Sequence, residues 1–342
     1  QNPVPYHLAT PQKAADHRAS PFPFQRGMTG WIHGVPAGLK TMSIQLFFID
    51  KLLRLTAKRR FRRNPDVMEL RAIMSEMPLR AAPGHVTVDL ATIGGIKAER
   101  LRTAKADESK AILYIHGGGF VAGVPGNHRP LTWRLADKVG VPVYAIDYRL
   151  APEHPYPAGL DDCVTAYRGL LEKGIAAKSI VIAGDSAGGN LTLATALKLK
   201  SLGVELPAAL VALSPATDIE GIGFESRESN AASDALFSEG MFATLQPLYC
   251  PNADVHDPFI SPYRGDVAGL PPTLIHCSDA EMLRDDGVKM AEKMKAAGVP
   301  VTLEVWPKVF HVWQVMADML PEGRQSIDKI AAFMREQLGT RH

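Results

Sequence analysis

A serine lies between glycines in residues 181–190, which read Val181-Ile182-Ala183-Gly184-Asp185-Ser186-Ala187-Gly188-Gly189-Asn190. The apolar residues before Gly184 are typical of a buried strand, and the residues after Ser186 begin a helical stretch. This pattern predicts a nucleophile elbow, a sharp strand-to-helix turn in which glycines leave room for a strained serine. We therefore expect Ser186 to be a nucleophile whose hydroxyl projects above a sheet.

Short apolar segments alternate with amphipathic helical segments along most of the chain. Apolar runs are typical of strands buried on both faces, and helices between such strands form the crossovers of a parallel sheet. The pattern therefore predicts an α/β fold with a mostly parallel sheet flanked by helices. The predicted strands are residues 86–93, 96–103, 111–115, 141–147, 179–183, 208–213, 272–277 and 301–305. The predicted helices between them are residues 129–139, 158–172, 187–202, 283–297 and 321–338.

Two regions fall outside this alternation. Residues 1–34 are rich in Pro, His and Gly, and we expect an irregular arm there, followed by helices at residues 36–63 and 67–77. The interval 217–262 lacks a clear strand. We interpret it as an insertion over the C-terminal edge of the sheet, with a helix at residues 233–248.

The first of these helices ends in a basic run, Lys58-Arg59-Arg60-Phe61-Arg62-Arg63. Cations near a helix C-terminus interact favourably with the helix dipole and are usually solvated. The same run also fits a patch that contacts a membrane surface or an acidic partner. We favour solvated cations and keep the membrane surface as the alternative.

The composition fits one large domain with an attached smaller element and excludes several classes of protein. The chain has 342 residues, 46% of them hydrophobic, and 38 Lys and Arg against 36 Asp and Glu leave a net charge of +2. This charge is too small to indicate nucleic acid as a partner. No apolar run approaches the roughly 20 residues that cross a bilayer, so we expect no integral membrane segment. Three cysteines, Cys163, Cys250 and Cys277, are too few for a disulfide framework, and we expect buried thiols.

The sequence says less about location and assembly. The chain begins at Gln1, which fits either a removed signal peptide or a trimmed N-terminus. We expect a cytoplasmic protein, with export after signal-peptide removal as the alternative. The sequence leaves monomer and homodimer both open.

A glycine triplet occurs in His116-Gly117-Gly118-Gly119, directly after the apolar run 112–115. Because glycine has no side chain, the backbone N–H groups of such a loop can point at one oxygen atom. The N–H of Ala187, where the helix after Ser186 begins, adds a further donor. The arrangement predicts an oxyanion hole. A phosphate cradle is the alternative for a glycine triplet, but the Gly-Lys-Ser/Thr of a P-loop does not follow.

Three motifs together resemble the hormone-sensitive lipase family of bacterial esterases. They are His116-Gly-Gly-Gly119, Asp147-Tyr-Arg-Leu-Ala-Pro-Glu-His-Pro-Tyr-Pro157 and Gly184-Asp-Ser-Ala-Gly188. The resemblance extends from about residue 111 to the C-terminus and implies an α/β-hydrolase fold with eight strands. It also implies a helical cap formed by residues 1–80 and the insertion at about 217–262, with residues 81–342 as the catalytic domain.

The same resemblance implies roles for individual residues. It suggests oxyanion donors at Gly118 and Gly119, with His116, Gly117 and Asp185 as supporting residues of the two glycine motifs. It further implies that the substrates are esters of small acids.

A base and an acid are expected after Ser186, because the order along the chain in this fold is Ser, acid, His. His311 follows the last predicted strand and precedes the last predicted helix, so we expect it to be the base. His154 precedes Ser186 and lies in the Pro-rich segment 147–157, which we interpret as a structural loop. The remaining histidines lack the spacing of a metal site, and we expect neither a metal nor a cofactor.

The acid is expected in the loop after the next-to-last predicted strand, which contains Asp279, Glu281, Asp285 and Asp286. The common family pattern there is Asp-x-Leu-x-Asp, and aligning Leu283 and Asp285 puts Glu281 in the position of the acid. The sequence therefore departs from the common pattern, although some relatives use Glu. We expect Glu281 to be the acid, keep Asp279 as the alternative, and expect Asp285 and Asp286 in the first turn of a helix.

Together these residues predict a serine carboxylester hydrolase that cleaves short-chain esters through an acyl-enzyme intermediate. A lactonase or an amidase with the same residues is the alternative among enzymes, since the shape of the pocket selects the acyl compound. A non-enzymatic protein of this fold that binds small molecules is the alternative from another class. The expected partner is a small-molecule ester.

Replacing the nucleophile tests this interpretation directly. We expect Ser186→Ala to reduce ester hydrolysis below about 1% of the wild-type rate, because removal of a triad member costs about 10⁶-fold in a related mechanism. The thermal unfolding temperature should stay close to that of the wild type, since one exposed hydroxyl supports little packing. A folded variant that keeps more than about 1% of the activity would show that another group attacks the ester.

Overall fold

The computed structural model describes residues 42–61, 66–76, 80–238 and 240–340. Its centre is one sheet of eight strands, whose order is β1-β2-β4-β3-β5-β6-β7-β8. Strand β2 is antiparallel to both of its neighbours, and the remaining pairs are parallel. The strands are β1 Val86–Ile93, β2 Ile96–Thr103, β3 Ala111–Ile115, β4 Val143–Ile146, β5 Ile180–Asp185, β6 Ala209–Leu213, β7 Thr273–Ser278 and β8 Val301–Trp306.

Helices cover both faces of this sheet because successive side chains of a strand point to opposite faces. Ile112 and Tyr114 of β3 belong to a buried cluster with residues of α4 and α10. Leu113 and Ile115 belong to a second cluster with residues of α5, α6 and α9. The helices are α1 Ile44–Leu55, α2 Ala57–Phe61, α3 Val67–Ser75, α4 Arg129–Val139, α5 Ala158–Glu172, α6 Ala187–Ser201, α7 Ser226–Ser229, α8 Met241–Tyr249, α9 Arg284–Ala296 and α10 Pro321–Leu338.

The predicted α/β alternation is confirmed. The eight predicted strands are present, as are the five predicted helices, of which four lie between strands and α10 follows β8; the ends of these elements differ from the prediction by at most two residues. The runs are easy to locate because β3 to β7 are buried along their whole length, which leaves continuous apolar segments in the sequence.

The helix predicted at residues 233–248 is wrong in its first half. The structure has α7 at Ser226–Ser229 and α8 at Met241–Tyr249, with turns between them. The carboxylate of Asp234 accepts hydrogen bonds from the backbone N–H groups of Leu236 and Phe237, at 2.8 Å each, and this local bonding competes with helix formation. Gly240 then has φ 83°, a left-handed conformation that precedes α8.

The N-terminal helices are shorter than predicted. Residues 44–61 form α1 and α2, and α3 ends at Ser75 instead of residue 77. The predicted irregular arm at residues 1–34, the beginning of the first predicted helix at 36–41 and its end at 62–63 lie outside the described residues. In the described part of the chain, no helix combines the length and apolar character that crossing a membrane requires.

One member of the basic run has neither of the predicted roles. Lys58 is 4% exposed and donates a hydrogen bond to the carbonyl of Ala231, at 2.7 Å. Arg60 forms an ion pair with Glu76, at 2.6 Å. These two cations therefore bind other parts of the protein, and Lys58 is available neither to solvent nor to a membrane.

Candidate active site

Ser186 lies at the turn between β5 and α6, where the backbone is strained. Its φ of 54° and ψ of −119° fall outside the regions that a serine ordinarily adopts. Its N–H donates to the carbonyl of Leu213, at 2.8 Å, which holds the turn against β6. The turn also requires glycine at residue 188, because a Cβ there would lie 2.0 Å from the carbonyl oxygen of Ile115. The predicted strand-to-helix turn at Ser186 is thus present.

His311 and Glu281 form a buried pair after the last two strands. The distance from His311 Nδ1 to Glu281 Oε2 is 2.6 Å, and Glu281 is fully buried. The second carboxylate oxygen of Glu281 accepts the backbone N–H of Ser278, at 2.7 Å. Both oxygens therefore have partners, and the carboxylate can hold the imidazole in one orientation and tautomer.

The other carboxylates of this loop lie elsewhere. Asp279 is exposed and accepts the backbone N–H of Lys308, at 2.7 Å. Asp285 and Asp286 lie in the first turn of α9, as expected, but both are buried. Asp286 binds the guanidinium of Arg227 through both oxygens, at 2.7 and 3.0 Å. This geometry favours Glu281 over Asp279 as the partner of the imidazole.

The glycine triplet lies beside Ser186 because β3 and β5 are adjacent and parallel, with Ile115 paired to Gly184. Gly118 and Gly119 have φ values of 125° and 64°, which a residue with a side chain rarely adopts. Within the described part of the chain, the N–H groups of Gly118, Gly119 and Ala187 donate no hydrogen bond. They therefore remain available to an oxygen of a bound molecule.

The N–H of Gly117 has a different role, because it donates to the carboxylate of Asp185, at 3.2 Å. Asp185 is buried and also accepts hydrogen bonds from the hydroxyl of Tyr114, at 2.6 Å, and from His128 Nε2, at 3.2 Å. Burial raises the pKa of Asp185, but the charge of His128 and the hydrogen bonds from His128 and Tyr114 together outweigh burial and lower this pKa. Likewise, burial opposes the charged imidazole, but the charge of Asp185 and its hydrogen bond to the ring, with a backbone hydrogen bond to Val124, together raise the pKa of His128.

Tyr114 and His128 were not among the residues predicted from the sequence. Tyr114 carries the signal that could have revealed this network, because a tyrosine in a fully buried strand requires a partner for its hydroxyl. His128 carries no comparable local signal, since it is the last residue of a short 3₁₀ segment before α4 and reaches Asp185 from 57 residues away.

The side chain of His116 packs against the glycine loop and contacts its backbone. Its Nδ1 lies 2.8 Å from the carbonyl oxygen of Gly117, and its ring stacks on Tyr148 with centroids 4.4 Å apart. The hydroxyl of Tyr148 donates to the carbonyl of His116, at 3.0 Å. Burial, together with the charge of His128, lowers the pKa of His116 to about 4, so the ring is neutral at neutral pH.

A cavity of about 420 Å³ opens above Ser186, a volume typical of small-molecule sites. His311 also lines it, and His311 Nε2 is buried without a hydrogen-bond partner among the described residues. The wall is mostly apolar, and just over half of its apolar side chains come from α1 to α3 and from residues 236–249. Apolar side chains of these elements that line the cavity are Leu53, Phe61, Leu70, Ile73, Phe237 and Leu245.

The described residues contain no cluster of three or more His, Cys, Asp or Glu side chains that could bind a metal. Cys163, Cys250 and Cys277 are buried and free, as expected from their number. The loop at residues 147–157 contributes structural contacts, including the ion pair between Arg149 and Asp162, at 2.7 Å.

The arrangement of sheet, elbow and cavity is that of a hydrolase-type α/β protein. A family described as alpha/beta hydrolase fold matches residues 112–315, more than half of the chain, and the chain belongs to this family. A crystal structure of an esterase from the bacterial hormone-sensitive lipase family has a TM-score of 0.80 and 37% sequence identity, covering 87% of this chain and 100% of that chain. The resemblance to that family of esterases is thereby confirmed.

Curated relatives carry related names. An acetyl-hydrolase of Streptomyces hygroscopicus is 40% identical over 251 residues, which cover 73% of this chain and 83% of the relative. An esterase of Acinetobacter venetianus is 34% identical over 290 residues, which cover 84% of this chain and 95% of the relative.

The low pKa of His116 predicts a loss of stability in mild acid. In the unfolded chain His116 binds its proton near pH 6.5, whereas in the folded protein it does so only near pH 4. The unfolded chain therefore takes up this proton more readily than the folded protein. The free energy of unfolding is unaffected by His116 above pH 6.5 and decreases as the pH falls from 6.5 towards 4. Since one pKa unit corresponds to about 1.4 kcal/mol, we expect a loss of about 3 kcal/mol from this group.

Urea unfolding of the wild type and of His116→Asn at several values between pH 7 and pH 4 measures this loss. The Asn amide can replace the Nδ1–H donor but does not titrate in this range. We expect a weaker dependence of unfolding free energy on pH in the variant, and equal slopes would contradict the assignment.

Proposed function

We propose that this chain is a serine carboxylesterase in which Ser186 is the nucleophile, His311 the base and Glu281 the acid. One observation carries the proposal: His311, hydrogen-bonded to the buried Glu281, lines the same cavity as the strained Ser186. The names of the relatives, esterase and acetyl-hydrolase, agree with this chemistry.

In the first half of the reaction, His311 accepts the proton of Ser186 Oγ through Nε2 while the oxygen attacks the ester carbonyl. The tetrahedral oxyanion accepts hydrogen bonds from the N–H groups of Gly118, Gly119 and Ala187. Such fixed donors contribute about 10²- to 10³-fold each to the rate. His311 then protonates the leaving alcohol, and an acyl-enzyme ester remains on Ser186.

In the second half, a water molecule loses its proton to His311 and attacks the acyl carbon. The second oxyanion collapses, the proton returns to Ser186 Oγ, and the carboxylic acid leaves. Glu281 stabilises the imidazolium in both halves of the reaction. It also holds the neutral imidazole in the tautomer that has its proton on Nδ1. Asp185 does not touch the reacting atoms and instead holds Gly117 and hence the glycine loop.

We propose that α1 to α3 and the insertion at residues 217–262 act as a cap over this site. Together they supply more than half of the apolar side chains that line the cavity. Arg71 of α3 supports this role, because its Nε donates to the carbonyl of Val121 just after the glycine loop, at 2.8 Å. The cap would bind the apolar part of an ester and exclude water from it.

A series of p-nitrophenyl esters of increasing acyl length, together with a lactone and an anilide, tests the activity and its alternatives. We expect kcat/KM to be highest for acetyl to butyryl esters and to fall for long chains, as the acetyl-hydrolase relative suggests. Faster turnover of the lactone or the anilide would favour a lactonase or an amidase. Binding of esters without turnover would favour the non-enzymatic alternative.

Glu281→Gln tests the acid, because the amide keeps the volume and removes the charge. We expect kcat to fall about 10³- to 10⁴-fold with little change in KM, since the wrong tautomer is favoured and the imidazolium loses its partner. Asp279→Asn is the matched control on the same loop and should lower kcat less than about tenfold. The reverse ranking would assign the acid to Asp279.

A further inference from the structure

Segment 226–237, which includes α7 and the turns after it, binds the loop that carries Glu281 on both sides of that residue. The amide nitrogen of Asn230 lies 2.9 Å from the carbonyl oxygen of Asp279 and 2.9 Å from that of Glu281. The carboxylate of Asp234 accepts the backbone N–H of Met282, at 2.8 Å. The backbone before and after Glu281 is therefore bonded to the same segment.

The bonding of Asn230 is specific to its side chain. Two carbonyl oxygens converge on it, and carbonyl oxygens only accept hydrogen bonds, so the NH₂ end of the amide must face them. A carboxylate has no hydrogen to offer, and a hydroxyl has one. Asn230 is 8% exposed, so water cannot easily replace both bonds.

The opposite side of the segment is held by the N-terminal helices. Lys58 of α2 donates to the carbonyl of Ala231, at 2.7 Å, and Arg54 of α1 donates to that of Ala232, at 3.0 Å. Arg54 is itself fixed by an ion pair with Asp50, at 2.7 Å. The turn at residues 231–234 is thus enclosed between cations of α1 and α2 on one side and the loop of Glu281 on the other.

This arrangement matters because a glutamate reaches its histidine through one more methylene than an aspartate. Because the side chain is longer, the backbone of residue 281 must lie farther from the imidazole for the carboxylate to meet it. The distance to be kept is 2.6 Å, from Glu281 Oε2 to His311 Nδ1. Small displacements of catalytic groups can lower rates by as much as about 10²-fold.

We propose that Asn230 is a positioning residue for Glu281: it fixes the backbone of the acid and thereby the hydrogen bond between Glu281 and His311. This inference rests on the proposed role of Glu281 as the acid. Under this proposal, segment 226–237 both lines the cavity and positions Glu281.

Asn230→Ala removes both donors, and we expect kcat to fall about ten- to a hundredfold while KM changes less than about twofold. Ser233→Ala is the matched control. Ser233 Oγ lies 2.9 Å from the carbonyl oxygen of Ala280 on the same loop and 3.1 Å from that of Asn230, so its single hydrogen can serve only one of them, and Ser233 is exposed. Its removal should change kcat less than about twofold. An unchanged kcat in folded Asn230→Ala would overturn the proposal.

A double-mutant cycle separates positioning from general support of the fold. In the Glu281→Gln background there is no carboxylate to position, so adding Asn230→Ala should lower kcat less than about twofold further. The same loss in both backgrounds would overturn the proposal. If Glu281→Gln alone leaves kcat unchanged, the proposed role of Glu281 as the acid fails, and Asn230 cannot act through this residue.

Thermal unfolding shows whether the variants are folded. Should Asn230→Ala not fold, Asn230→Ser, which retains one donor, replaces it in the same cycle. We then expect a smaller fall in kcat, of about three- to tenfold, that again disappears in the Glu281→Gln background. Persistence of the fall in that background, or no fall in a folded variant, would overturn the proposal.

Discussion

The close approach of α6 to the end of β3 is the constraint on which the active site depends. Only glycine fits at residue 188, because a Cβ would lie 2.0 Å from the carbonyl oxygen of Ile115. This contact brings the start of α6 next to the glycine loop, and the N–H groups of Gly118, Gly119 and Ala187 donate no hydrogen bond among the described residues. The strain at Ser186 is maintained because the packed strand and helix on either side leave the turn no relaxed alternative.

Buried electrostatics keep this geometry in place. Asp185 is charged although it is buried, because Tyr114, His128 and the N–H of Gly117 all donate to it. A buried carboxylate with such donors is favourable, whereas the loss of one donor leaves charge without compensation. His116 is the opposite case: burial and the neighbouring charge of His128 keep it neutral, and it serves as a hydrogen-bonded platform on Tyr148. The glycine loop and the turn at Ser186 are therefore connected by buried hydrogen bonds, since the N–H of Gly117 donates to Asp185.

The pair of His311 and Glu281 depends on distant parts of the chain. The carboxylate is held by Ser278 at the end of β7, and the backbone of Glu281 is bound by Asn230. On the other side of the segment that contains Asn230 lie the cations of α1 and α2. The elements that line the cavity and the elements that bind the backbone of Glu281 are thus partly the same.

The sequence by itself determined the sheet, the elbow and the position of His311, because continuous apolar runs, glycines around a serine and the chain order of the motifs are local signals. It also restricted the acid to one loop and favoured Glu281 through its alignment with Leu283. It did not determine the start of α8, where the Asp234 carboxylate binds nearby backbone N–H groups and prevents an earlier helix. The tertiary structure alone decided the burial of Lys58 against a carbonyl 173 residues away and the contact of His128 with Asp185. Such contacts join residues far apart in the chain, and they depend on where the packed strands and helices bring side chains together, which no local pattern records.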